Sequence, residues 1–315
     1  MTLPGRTYAP KGLLEALTRV RTQAEAHMDH HDRNGLVWSE ETVSEIAIGA
    51  GLPFVRPIPF NRRQESAVGA DWLWWWLDRS SQECFGMLVQ AKRIKHEGKK
   101  WKLDVSHGSG EQQLSLIASA QQLEVPAIYS VYTGGMVMRQ DLGCPHRLPS
   151  PCSACIRMAI TMMPAFSLSP AWDQDALAKL TFAEGVALED LGDPLKPAAL
   201  VKDVNFRGLG DGELRNFLIE EQTGPREVAK KIFRSVSTRR AGHKSAVLTR
   251  PVEVAGEQVF HDMPGDKGHF PAAYYPHVLG GLRRNPPNYL RDIMAGFEPP
   301  AEIARLSAGV VLITS

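Results

Sequence analysis

The chain has 315 residues, 43% of them apolar and 23% charged, with a formal net charge of +1 at pH 7. That balance is ordinary for a globular protein and excludes a disordered polyelectrolyte and a uniformly basic coat, so any anionic partner has to be met by local patches. The length allows a sizeable core, in two lobes or one elaborated unit.

Residues 1–6 lead into an amphipathic segment, and no run approaches the roughly 18 apolar residues of a membrane span, so a cytoplasmic protein with no membrane partner is expected. Leu13, Leu14, Leu17, Val20 and Ala24 recur at spacings of three and four and predict a helix over about 11–28. The polar run 27–32, rich in His and Asp, reads as a loop closed by Asn34-Gly35. Ser39 is a good N-cap for a second helix over 40–50, with acids in its first turn, where the helix dipole favours them. Glu41 and Glu45 lie one turn apart on this helix. Glu41 suits the dipole, whereas Glu45 is balanced between a solvated face and a role at a site.

Pro53, Pro57 and Pro59 break the helical pattern, and a strand-like segment leads through Glu65. Residues 71–77 and 84–94 form a hairpin joined by the polar turn 78–82. Each strand brings one polar group into apolar surroundings: Asp71 before Leu73, Trp74, Trp75 and Trp76, and Gln90 between Val89 and Ala91. Burial of such groups is costly unless a partner satisfies them. Alternation along a strand puts Gln90 and Lys92 on one face and Val89 and Ala91 on the other. Arg93, Lys95, Lys99, Lys100 and Lys102 follow, with Trp101 interleaved, and suit either a solvated loop or a phosphate backbone. A helix over 110–123 opens with Gln112 and Gln113, and Val125-Pro126 leads into an apolar strand over 127–132. Helix, strands, helix, strand is the order of an α/β sandwich built on one mixed sheet.

Cys144-Pro145-His146 and Cys152-Ser153-Ala154-Cys155 make the second constellation. A C-x-x-C knuckle supplies two tetrahedral zinc ligands, and Cys144, His146, Cys152 and Cys155 together would leave no open position, hence a structural zinc. Free cysteines in a loop are the alternative. Residues 213–234 read as helical, and Arg234, Arg239, Arg240, His243 and Lys244 form a second basic patch before a strand-like 246–248. Arg283, Arg284 and Arg291 form a third, and 309–314 is an apolar terminal strand. Three patches in a nearly neutral chain favour a nucleic-acid partner, with Arg93, Lys95, Lys99, Lys100, Arg239, Arg240 and Lys244 as candidate contacts. DNA is expected ahead of RNA, and an oligomer is left open.

Hydrolysis of a phosphodiester needs a hard cation, a positioned water and a cationic group near the developing charge. Asp71 offers an ionised oxygen and Gln90 a neutral carbonyl oxygen to Mg²⁺ or Mn²⁺, and Lys92 is placed to orient the water or neutralise charge. Glu45 or Glu65 would supply a second carboxylate.

At these residues the chain resembles the PD-(D/E)XK restriction-endonuclease-like superfamily, and more narrowly a bacterial family of unknown function within it. The match rests on Gly69-Ala70-Asp71-Trp72 and Val89-Gln90-Ala91-Lys92, preceded by the helix carrying Glu41 to Glu45, over residues 37–135. The resemblance implies an α-β-β-β-α-β core with a mixed central sheet flanked by helices. It implies Asp71 as metal ligand, Gln90 where Glu or Asp is commoner, and Lys92 as the catalytic lysine. It also implies Glu45 as the acid of the first core helix, and Gln112 or Gln113 as the polar residue of the second. The expected organisation is a helical N-terminus plus nuclease-like core over 1–135, a Cys/His loop and linker over 136–180, and a C-terminal α+β extension over 181–315. The expected function is metal-dependent nucleic-acid cleavage, with bacterial defence as an analogy from the superfamily. Two alternatives stand beside it: a nucleic-acid-binding or scaffold protein that keeps the fold without turnover, and a purely structural Asp71–Lys92 ion pair.

Overall fold

The structure, a computed structural model, describes residues 9–60, 72–98, 100–105, 110–142, 152–201, 209–240, 251–253 and 257–315. The chain opens with α1 (Leu13–Arg33), which buries Leu17, Val20, Ala24 and Met28 along one stripe. α1 runs through the polar stretch 27–32 that reads as a loop. Its polar side chains serve the helix end: His31 Nδ1 pairs with the His27 carbonyl at 2.9 Å, and Asn34 Nδ2 donates to the His30 carbonyl at 2.7 Å. The turn comes at Gly35, whose φ of 66° is open to glycine. In α2 (Glu40–Ala50), the Ser39 hydroxyl accepts from the Thr42 amide, as an N-cap does.

β1 (Val55–Pro59), β2 (Trp72–Leu77), β3 (Cys84–Glu97) and β4 (Lys100–Leu103) precede α3 (Glu111–Gln122) and β5 (Ala127–Tyr132). Next come α4 (Met136–Asp141), α5 (Ser153–Arg157), β6 (Ile160–Pro164) and a 3-10 turn (Ala165–Ser167). α6 (Gln174–Glu184), β7 (Val186–Ala187) and α7 (Leu188–Leu191) follow. The remainder holds α8 (Gly212–Ile219), α9 (Gly224–Arg240), β8 (Pro251–Glu253), β9 (Asp262–Pro264) and α10 (Tyr274–Leu279). It closes with β10 (Leu282–Arg283), α11 (Asn288–Met294), α12 (Ala301–Leu306) and β11 (Gly309–Thr314). The helical stretch expected over 213–234 holds two helices: α8 ends at Ile219, and α9 starts at Gly224, whose φ is 55°, with Pro225 in its first turn. The expected strand at 246–248 lies outside the described residues. Among the described residues no helix is long and apolar enough to cross a membrane.

The protein is mixed α/β, with a central mixed sheet in the order β1-β11-β2-β3-β5-β6-β7, and β4 and β10 paired to β3. β2 and β3 form the expected antiparallel hairpin, and β5 runs parallel to β3. The last strand is not at an edge: β11 lies between β1, to which it is antiparallel, and β2, to which it is parallel. On one face, Leu17, Val20, Ala47 and Ile48 of α1 and α2 gather with Trp74, Tyr132, Ile160 and Ile313 around a small internal gap. On the other, Trp75 meets Tyr289 of α11 edge-on, with ring centroids 6.3 Å apart.

Trp75 pairs with Gly86 across the hairpin, and a Cβ at residue 86 would lie 2.7 Å from the indole. Gly86→Val is therefore expected to lower stability by about 1–3 kcal/mol through overpacking, read as a lower urea midpoint at constant slope.

His277 is buried under Phe166, and its Nε2 accepts from the Ala127 amide at 3.3 Å. Burial pushes its pKa from 6.5 down to about 4. The ring is neutral in the folded protein and protonated earlier in the unfolded chain. Its contribution is complete above pH 6.5 and is lost as pH falls from 6.5 towards 4. At about 1.4 kcal/mol per pH unit between the two values, the loss reaches about 3 kcal/mol. Urea titrations across that window are expected to show a shallower pH dependence for His277→Gln than for the parent.

Candidate functional site

β3 is the spine of the site. Trp72, the first described residue of β2, pairs with Val89, so the hairpin begins next to Gln90. Across the parallel pair Gln90 lies opposite Tyr129, and Lys92 opposite Val131, which puts Gln90, Lys92 and Tyr129 on one face. Gln90 is only 3% exposed and Lys92 is half-buried. α3 covers this face: Lys92 Nζ donates to Gln112 Oε1 at 2.7 Å and stands 5.9 Å from the centre of the Tyr129 ring. The adjacent Gln113 has a different task. Its amide donates to the Ala165 and Leu168 carbonyls, each at 2.6 Å, and fastens the start of α3 to the turn after β6.

Tyr129 is fully buried, which raises its phenol pKa; the Asp104 carboxylate raises it further, and the Gln113 amide acts the other way. Asp104 follows Leu103, which pairs with Ile94 as β4 folds back on β3. The basic run that opens at Arg93 is thus followed by a half-buried acid whose charge acts on the Tyr129 phenol. Sequence reasoning missed it. The signal was the alternation Lys100-Trp101-Lys102-Leu103, a short strand that ends on an acid.

Arg93 points to the opposite face. Its guanidinium bonds the Trp38 carbonyl, sits 5.5 Å from the Trp38 ring and lies 3.6 Å from Glu40. Tyr132 shares that face, and its hydroxyl pairs with Ser44 Oγ at 2.8 Å. α2 therefore packs there, and Glu45 is exposed on it. Gln90, Lys92, Gln112 and Tyr129 come together, whereas Glu45 is carried by the helix behind the sheet. Asp71 and Glu65 lie outside the described residues.

Several expected phosphate contacts have internal partners. Arg239 is held 2.9 Å from Glu184 and bonds the Ser167 carbonyl. In the third patch, Arg283 and Arg284 pair with Glu124 at 3.0 Å and Glu213 at 2.6 Å. Lys95 and Lys100 are exposed. Arg240 ends α9, and Lys99 and Lys244 lie outside the described residues. A cleft of about 610 Å³ opens beside β3, lined by Trp38, Arg93, Lys95, His96, Trp101 and Met138. Lys92 is not among its walls.

Cys152 and Cys155 are buried at the start of α5 and form no disulfide. Arg157, at the end of that helix, fastens it to Asp190 at 2.6 Å and Asp193 at 2.5 Å. Cys144 and His146 lie outside the described residues. Among the described residues no group of three or more His, Cys, Asp or Glu is gathered closely enough to hold a metal. At β3 the donors among the described residues are amide oxygens, on Gln90 and Gln112. All-oxygen donors fit a hard divalent cation.

A family model described as a family of unknown function (DUF6615) matches residues 13–197. No curated protein matches the chain, and neither does any solved structure.

Proposed function

Since the chain belongs to DUF6615, a family of unknown function, we propose from the arrangement around Lys92 that it is a Mg²⁺- or Mn²⁺-dependent nuclease. In this reading it has a PD-(D/E)XK restriction-endonuclease-like core and cleaves DNA ahead of RNA. The observation that carries the reading is the Lys92–Gln112 bond at 2.7 Å, on the face where Gln90 is buried. The Gln112 amide oxygen holds the Lys92 side chain on that face, where a cationic group would stand beside a phosphate.

In this proposal Asp71 and Gln90 would hold the cation through oxygen. A cation held there would supply polarisation of the scissile phosphate and a more acidic attacking water. Lys92 donates hydrogen bonds to that water or to the phosphate oxygen on which negative charge builds up. Gln112 holds the Lys92 side chain to one position, which limits the entropy lost when substrate binds. Exposed Lys95 and Lys100 meet the flanking backbone. Bacterial defence is the setting suggested by superfamily analogy. The test is incubation of the purified protein with plasmid, single-stranded DNA and RNA, with Mg²⁺ or Mn²⁺ and with chelator. Metal-dependent cleavage is expected; intact substrates throughout would sink the idea.

Gln90 motivates a second reading, since a neutral amide where a carboxylate is usual takes one negative charge from the site. In that reading the protein binds nucleic acid without turnover. Its mark is salt-dependent binding that ignores divalent metal and survives Asp71→Ala.

Buried Cys152 and Cys155 at the head of α5 support the further proposal of a structural zinc, completed by Cys144 and His146. Elemental analysis of protein purified without added metal is expected to find one zinc per chain, lost in the Cys152→Ser/Cys155→Ser variant. A zinc-free, normally melting parent would remove the proposal.

A further inference from the structure

We propose that the cleft at the far end of β2 binds a small organic phosphate, with Arg56 and Arg79 holding the phosphate group. The site is separate from the Lys92 face, and the proposal stands whether or not the chain is a nuclease.

The register builds the cleft. Arg56 of the edge strand β1 lies opposite Leu312 of β11, and Thr314 lies opposite Leu77 at the end of β2. Paired residues share a face, so Arg56, Leu312, Thr314 and Leu77 stand with Trp75 on the α11 side of the sheet. Arg79 follows in the turn from β2 to β3, and Met294 ends α11. These side chains wall an opening of about 580 Å³. Leu77 is the last residue of β2, whereas Trp72, at its start, pairs with Val89. At about 3.4 Å per residue the cleft lies roughly 17 Å from the Gln90 end of the hairpin.

Charge names the ligand. Both guanidinium groups are exposed, neither makes an ion pair among the described residues, and no acid stands among the described walls of the cleft. Asp78, next to Arg79 in the chain, is engaged within its own turn. Its carboxylate accepts from the Ser80 amide and hydroxyl, each at 2.8 Å, and from the Ser81 hydroxyl at 3.0 Å. Arg226, by contrast, meets both Glu83 and Glu213. Two unneutralised guanidinium groups at one opening attract a dianion, and their planar forks match phosphate oxygens.

The turn fixes the backbone that carries Arg79. Gln82 has a left-handed φ of 64°, a strained conformation for a residue other than glycine. Its side-chain amide donates to the Arg79 carbonyl at 2.8 Å, and its backbone N–H donates to the Asp78 carbonyl at 2.9 Å. A charge on an edge strand also deters edge-to-edge pairing. That accounts for Arg56 alone, not for Arg79 in a turn at the same cleft. Leu77, Leu312 and Met294 offer apolar surface to the body of the ligand, and an opening of this size suits a small molecule.

The experiment is isothermal titration calorimetry on the full chain with phenyl phosphate, inorganic phosphate, benzoate and a single-stranded oligonucleotide. Phenyl phosphate is expected to bind most tightly. Arg56→Gln and Arg79→Gln are each expected to weaken it by about tenfold, the worth of one charge-assisted contact, with the melting midpoint unchanged. Met294→Ser is expected to weaken phenyl phosphate and to leave inorganic phosphate within about twofold. A parent that binds neither phosphate at millimolar concentration would overturn the proposal, as would benzoate or inorganic phosphate bound as tightly as phenyl phosphate. Arginine variants that lose the oligonucleotide yet bind phenyl phosphate like the parent would overturn it in favour of a nucleic-acid contact.

Discussion

Lys92→Ala is expected to lower nucleic-acid cleavage by about 10²- to 10³-fold, the usual cost of removing one preorganised donor from a developing charge. The fold is expected to survive. Gln113, not Lys92, fastens α3 to the Ala165 and Leu168 carbonyls, and β3 stays paired to β2 and β5 on either side. The thermal midpoint of the variant therefore separates chemistry from structure. If Lys92 and Asp71 form a structural ion pair, removal of either partner costs about 3–5 kcal/mol and the midpoint collapses. A normal melt with lost cleavage supports the catalytic role. Gln112→Ala is expected to fall between parent and Lys92→Ala, because the lysine keeps its charge and loses only its fixed position.

Truncation after Leu306, which removes β11, is expected to abolish cooperative folding. β11 fills the space between β1 and β2, and Val310, Val311, Leu312 and Ile313 are each at most 3% exposed. Four such side chains contribute about 6–12 kcal/mol of burial, comparable with the roughly 5–15 kcal/mol of a whole domain. Their removal would also leave both neighbouring strands with unpaired backbone edges. The same reasoning applies to a fragment limited to residues 13–197, the span of the family match, which also lacks β11. A soluble fragment 1–306 with a sharp, two-state melt would contradict this.

Much of the framework was legible in local pattern. Ser39 marked the start of α2, strand alternation assigned Gln90 and Lys92 to one face, and the apolar run at 309–314 is a strand. Other readings failed where a long-range or capping contact outweighed local polarity. The 27–32 stretch stayed helical, with His31 and the C-cap residue Asn34 serving the carbonyls of the helix end. Arg239 reads as a surface cation in a basic cluster, yet Glu184 and Ser167 draw it inward from other elements.

The sequence by itself determined the hairpin, the helix that follows it and the shared face of Gln90 and Lys92, because each depends on periodicity over a few neighbouring residues. Tertiary structure alone decided two things: that Gln112 rather than Gln113 grips Lys92, and that the C-terminal strand lies inside the sheet. These outcomes depend on the pairing of residues far apart in the chain, and no local pattern encodes which strand edge a distant segment fills.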